Sequence, residues 1–253
     1  MIRTLAIGLL ATAMVVRADE AADKLTSAGI AEFSAAFQAW DAKRFGKAAD
    51  DFRKAAARTP DSPVNFYWRG VASFHRMLQI KSQPKPDMHA ADAAMQAAID
   101  AFDAALAIDP HHAESHALLG TLYGMKIRGI IRAIRYGPRL QDHQKQALQN
   151  GADNPRVKYL LGAGLHHTAE NADDHRKSLS TLLAAEKLFL AEAKHAPAPF
   201  EPRWGLSSCR TFIGLAYLKL GQKEHAAAYF KKALADHPND HVANEQLSKI
   251  TPP

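Results

Sequence analysis

The sequence predicts an all-α protein assembled from stacked helix pairs, and three observations predict it. A four-residue ladder recurs along the chain: Ala48, Phe52, Ala55, Pro60; then Ala98, Phe102, Ala105, Pro110; then Ala226, Phe230, Ala233, Pro238. A second pattern, an apolar residue followed by glycine with an aromatic residue or leucine close behind, accompanies the ladders as Leu119-Gly120 with Tyr123, Leu161-Gly162 with Leu165, and Ile213-Gly214 with Tyr217. The alternating β-branched runs that a half-buried strand needs are scarce.

In chain order, the first segment reads as a leader. Arg3 supplies a positive start, Thr4 to Val16 are mainly apolar, and Val16-Arg17-Ala18 offers a cleavage point after Ala18. Thirteen helical residues rise only about 20 Å, short of the roughly 30 Å hydrocarbon layer, so a removable signal peptide at 1–18 is preferred to an anchor. That reading makes the protein exported and periplasmic. Residues 19–28 follow as a polar linker.

Each ladder is a helix signature. Spacings of three and four place its side chains on one face, the alanines let a neighbouring helix come close, phenylalanine fills the seam and proline closes the helix. A fourth copy, Ala185, Phe189 and Pro197, has Glu192 where the second alanine would stand. Phe66 and Gly70 give a weaker version of the glycine pattern, and the first copy has Ala35-Ala36 in its place. Three repeats carry extra residues between their helices, near 78–90, 127–139 and 168–177. Residues 79–88, with Pro84 and Pro86, read as a loop, and the triple-proline stretch at 195–202 as a break. Gly137-Pro138 is expected to end a short helix in the middle repeat.

Together the two patterns resemble the tetratricopeptide repeat (TPR) family, whose repeat reads W-x2-L-G-x2-Y, A-x3-F and P. The last copy, at 207–240, fits without a gap, while the family tryptophan is replaced throughout by Phe66, His116, Lys158 and Arg210. The resemblance implies a right-handed solenoid of about five TPR-like helix pairs over 29–250, ended by a capping helix at 242–250, with 251–253 as a tail. A narrower resemblance, to exported bacterial TPR proteins of unassigned function, rests on Tyr136-Gly137-Pro138-Arg139, Asn154-Pro155-Arg156 and Pro202-Arg203-Trp204-Gly205.

Enzyme motifs are incomplete. Gly205-Leu206-Ser207-Ser208-Cys209 lacks the closing glycine of a nucleophile elbow, and Gly162-Ala163-Gly164 lacks the third glycine of a dinucleotide loop. In His112-Ala113-Glu114-Ser115-His116 the glutamate stands one place too late for a zinc-protease helix. No catalytic residue, metal ligand or cofactor is therefore assigned, and the thirteen histidines are read as packing and loop residues.

Function is expected from the groove that the resemblance implies. In a TPR solenoid the first helix of each pair lines the concave side, which here nominates Tyr67, Phe74, His75, Arg156, Tyr159, His166 and His167. Such a wall suits an unidentified protein partner held as an adaptor would hold it; the alternative is a small ligand or metal gripped by the same aromatic and histidine residues. The formal charge of +6 falls to +4 once Arg3 and Arg17 leave with the leader, which is too mild for a dedicated nucleic-acid binder. The lone Cys209 forms no internal disulfide. Between Ser115 and Gln141 no acidic residue occurs, and Arg128, Arg132 and Arg135 share one helical face opposite Ile127, Ile130, Ile131 and Ile134. The isoleucines are expected in the core with the arginines solvated; the other outcome is peripheral contact with an anionic membrane surface or an acidic partner.

Overall fold

The computed structural model describes residues 19–251, so the expected leader and the last two residues of the tail lie outside it. Eleven helices and no strand occur among the described residues: α1 (Glu20–Ala39), α2 (Ala42–Arg58), α3 (Pro63–Lys81), α4 (Met88–Ile108), α5 (Ala113–Lys126), α6 (Ile130–Gly151), α7 (Pro155–Thr168), α8 (Ala172–Glu192), α9 (Leu206–Lys219), α10 (Lys223–Asp236) and α11 (His241–Ile250). They pack as five consecutive antiparallel pairs, α1 with α2 through α9 with α10, and α11 covers the last pair. This is the helix-pair solenoid that the ladders predict.

Local chemistry fixes the starts. Asp19, Asp41, Asp87, Asn154, Asn171 and Asp240 each turn a side-chain oxygen onto free N–H groups of the following first turn. Pro63 and Pro155 occupy first-turn positions that lack an N–H partner in any case.

The ladder residues form the seams. Phe52, Phe102 and Phe230 are fully buried, as are the ladder alanines beside them, and Phe189 is nearly so. Each ring lies over a backbone without a Cβ. A methyl on Gly70 would stand 2.4 Å from the Phe102 ring, and one on Gly214 would stand 2.5 Å from that of Phe230. Helix–helix approach at these points requires glycine. The last pair and α11 enclose a separate small core of Ala226, Phe230, Ala233 and Ala243.

Four expectations are corrected. Residues 19–28 are not a linker, because α1 begins at Glu20 under the Asp19 cap and buries Ala22 and Thr26. The polar run conceals a helix whose inner face is made of small residues. In the first pair the glycine facing Phe52 is Gly29, two turns before the expected Ala35-Ala36. The insertions are mostly helix: the irregular stretches shrink to residues 82–87, 127–129 and 169–171. Finally, Pro138 does not stop α6, which runs through it to Gly151. Tyr136 stacks on Tyr123 at 6.0 Å on one side of the proline and His143 stacks on the same ring at 5.6 Å on the other, so tertiary packing holds both halves in line.

Candidate partner-binding surfaces

The connection between α8 and α9, residues 193–205, crosses the inner face of the solenoid and decides what that face can do. Trp68 donates its indole N–H to the Phe200 carbonyl at 2.9 Å, and Trp204 donates to the Tyr67 hydroxyl at 2.9 Å. Phe200 is held at φ +62, a region that bulky side chains rarely enter. Gly205 follows at φ +112 as the N-cap of α9, where the edge of the Phe189 ring leaves no room for a Cβ. Two residues of this strap, Trp204 and Gly205, join the core, with Trp204 only 7% exposed, while residues 193–199 stay on the surface.

The groove residues are accordingly interior. Tyr67, Phe74, His75, Arg156 and Tyr159 are all buried, which corrects the expectation that they form an open wall. His75 sits among Phe33, Phe37, Phe45, Phe74 and Trp204, with ring centroids between 5.1 and 5.8 Å, and its Nδ1 lies 2.8 Å from the Val71 carbonyl. Burial lowers its pKa to about 4, so the ring is neutral and Nδ1–H is the donor. Burial likewise pushes the Tyr159 hydroxyl above its ordinary range. His166 is half-buried and His167 exposed, both against Phe212 at 5.7 and 5.4 Å.

Arg156 organises a buried charged network. Its Nε donates to Glu114 at 2.7 Å and its Nη2 to Glu192 at 2.5 Å; Asn154 donates to Glu114 at 2.8 Å, and Tyr67 donates to the other Glu114 oxygen. Burial works against the guanidinium charge, but the Glu114 carboxylate and the Glu192 hydrogen bond outweigh it, and the pKa of Arg156 is raised. The tyrosine is pushed up by burial and by Glu114. The motifs Asn154-Pro155-Arg156 and Pro202-Arg203-Trp204-Gly205 thus meet through Tyr67 and Glu114. No spacing or composition signal in the sequence marks Tyr67 and Glu114 as their link.

Several histidines also pack. His116 Nε2 faces the Pro110 carbonyl at 3.0 Å, which accepts only, so its Nδ1 receives the Nδ1–H of His143 at 2.9 Å. Burial and the His116 neighbour lower the His143 pKa to about 4. Among the described residues no group of three or more His, Cys, Asp or Glu is arranged to hold a metal ion.

Two open clefts flank the strap. One, of about 370 Å³, is bounded by Val64, Trp68, His111, Asn150, Phe200 and Pro202; the other, of about 490 Å³, by Asp153, Arg156, Leu188, His195, Glu201 and Pro202. Tyr67 lines the first and Arg156 the second. The basic segment forms a third surface and brings another correction. Ile130, Ile131 and Ile134 are 79, 81 and 74% exposed, so they are not core residues. Arg128, Arg132 and Arg135 are exposed beside them, as expected. It is Ala133, Tyr136 and Leu140 that turn towards the body of the protein.

The first and last pairs also touch. Asn239 donates to the Gln38 carbonyl at 2.7 Å, and the His237 ring lies 4.5 Å from that of Phe37. A family model described as regulator of microtubule dynamics protein 1–3 matches residues 34–251. The chain belongs to this family. No curated protein matches the sequence. Among solved structures, a thermophilic TPR protein of Thermus thermophilus is 16% identical and superposes with a TM-score of 0.61, over 91% of this chain and 98% of its own. MamA, 18% identical, and YrrB, a TPR protein with an unusual peptide-binding site that is 15% identical, each give a TM-score of 0.38 over 89% of this chain and 95% and 98% of theirs. The Thermus likeness shows the fold, a TPR solenoid, and the family match places this chain among helical repeat proteins.

Proposed function

We propose that this family member is a non-catalytic adaptor of the bacterial periplasm that holds a protein partner along the strap side of its solenoid. The supporting observation is the pair of open clefts flanking residues 193–205. Val64, Trp68, Phe200 and Leu188 give them apolar surface, and His111, Asn150, Asp153, Arg156 and Glu201 give them polar and charged surface. That lining suits an extended protein segment, which draws affinity from apolar contacts and orientation from a few polar groups. The inner face is unsuited to the task, since Trp204 of the strap is packed into it and Tyr67, Phe74 and His75 are buried there. The leader read at 1–18 supports the periplasmic assignment.

A photo-crosslinking residue placed at Asn150 or at His111, both exposed, tests the proposal in cell-envelope extracts. The expected result is one and the same protein captured from both positions and not from Lys231 on the last pair. Capture of no protein from either, with a small metabolite co-purifying instead, would overturn the adaptor reading.

A further inference from the structure

We propose that the first half of α6, with the turn before it, is an anionic-membrane docking element, in which Ile130, Ile131 and Ile134 enter the acyl boundary while Arg128, Arg132 and Arg135 meet lipid phosphates. This surface is separate from the strap clefts and does not depend on what they bind.

The first ground is the division of the helix into three faces. Steps of 100° per residue along α6 put Ala133, Tyr136 and Leu140 against the body of the protein, the isoleucines on the outer ridge, and Arg132 and Arg135 along the adjoining strip, with Arg128 just ahead of the Gly129 cap. Three isoleucines more than 70% exposed on consecutive turns are a cost that folding alone does not explain. A solvated helix needs no isoleucine there, and a core helix would have turned them inward.

Charge supplies the second ground. Among the described residues, Arg128, Arg132 and Arg135 form no ion pair with a carboxylate. Behind the ridge lies a cleft of about 530 Å³ whose walls add Lys81 and Lys126 to these arginines, with Asp92 the single carboxylate. Burial and the nearby Arg128 hold the Lys81 ammonium below its ordinary pKa, and Asp92 offsets them only in part, which leaves this cluster of cations short of counter-charge. Phosphate anions at the mouth of this cleft would supply it.

The shape of the patch selects the occupant. Ile130, Ile131 and Ile134 protrude at 74–81% exposure, with Ile131 at the edge of the cleft, and a protruding apolar ridge matches insertion into a deformable lipid boundary better than the seating of a partner helix. A second copy of this chain would bring a like arginine strip against this one, because a two-fold interface places the same patch on both sides. No described helix is long and apolar enough to cross a membrane, so the contact is peripheral.

Vesicle co-sedimentation tests this, using phosphatidylcholine alone and phosphatidylcholine mixed with phosphatidylglycerol. The full chain and a chain beginning at Asp19 are compared, so that the apolar stretch near the amino terminus adds nothing to the difference. Binding is expected to the mixed vesicles, and replacing Arg128, Arg132 and Arg135 with Gln should weaken it about fivefold per arginine. Changing the three isoleucines to Ser should weaken it at unchanged charge. A polarity-sensitive dye on Ile131→Cys should shift to the blue on anionic vesicles while one on Lys231→Cys should not; the single native thiol, Cys209, is fully buried and will not compete. Equal binding of parent and both triple variants, or no dye shift at position 131, would overturn the proposal. So would a dimer in solution that the Ile→Ser changes dissolve.

Discussion

Arg156 and His75 show how differently two polar side chains are accommodated in the same interior. Arg156 keeps its charge because two carboxylates and a tight set of hydrogen bonds replace the water it has lost. His75 has no anion beside it and gives up its charge instead. The folded protein refuses a proton at His75 until pH falls to about 4, whereas the unfolded chain accepts one near 6.5. Stability from this residue is therefore fully present above pH 6.5 and is lost progressively as pH falls towards 4, by about 3 kcal/mol in total. Thermal melts between pH 7 and pH 4.5 should show this decline, and His75→Leu should make it shallower without removing it, since His143 and His166 are lowered to about 4 as well. An unchanged slope in the variant would show that His75 is not the group responsible. Neither role is legible in the sequence. Position on a first helix points both residues inward, towards an expected partner, and only the three-dimensional course of the strap turns inward into buried.

At the level of the helices the sequence is far more informative. The ladders name their own contacts, since alanine, phenylalanine and glycine are specified by how closely two backbones approach, and this is a local requirement that spacing alone reveals. Phe230 meets Gly214 within the small terminal core, where few other large side chains compensate for it. Phe230→Ala should cost about 3–5 kcal/mol, and hydrogen exchange should show α9, α10 and α11 losing protection before α3 and α4. If the variant melts within a degree or two of the parent, the ladder phenylalanine is not the seam of its pair. Pro138 is the instructive failure. Its lack of an N–H is a local fact that argues for a helix end, and it is outweighed by stacking on Tyr123, a non-local fact. The exposed isoleucines of α6 belong to the same class, because periodicity shows that a helix has an apolar face without showing that another element covers it.

Across the whole molecule, the strap and the contact between first and last pairs turn an open array into a filled one. Trp204 is the keystone of that filling, hydrogen-bonded to Tyr67 and set edge-on to His75 at 5.4 Å. Trp204→Ala should destabilise the fold by about 3–5 kcal/mol and expose the inner aromatic residues, so that the variant binds a hydrophobic dye before its main melting transition. A variant with no early dye signal would mean that the strap stays seated without its tryptophan. The placement of the strap could not be read from composition, for the triple-proline stretch looks the same whether it hangs free or is pinned by Trp68.

The hydrogen bond from Asn239 to Gln38 bears on how such a chain can evolve. Open repeat arrays lengthen and shorten by duplicating or losing a unit, because each unit answers only to its neighbours. Here an extra pair would swing the final one away from the first and strand the Phe37–His237 contact. Keeping that contact therefore requires an unchanged number of units, a condition that loop lengths and surface residues such as those of α6 do not share.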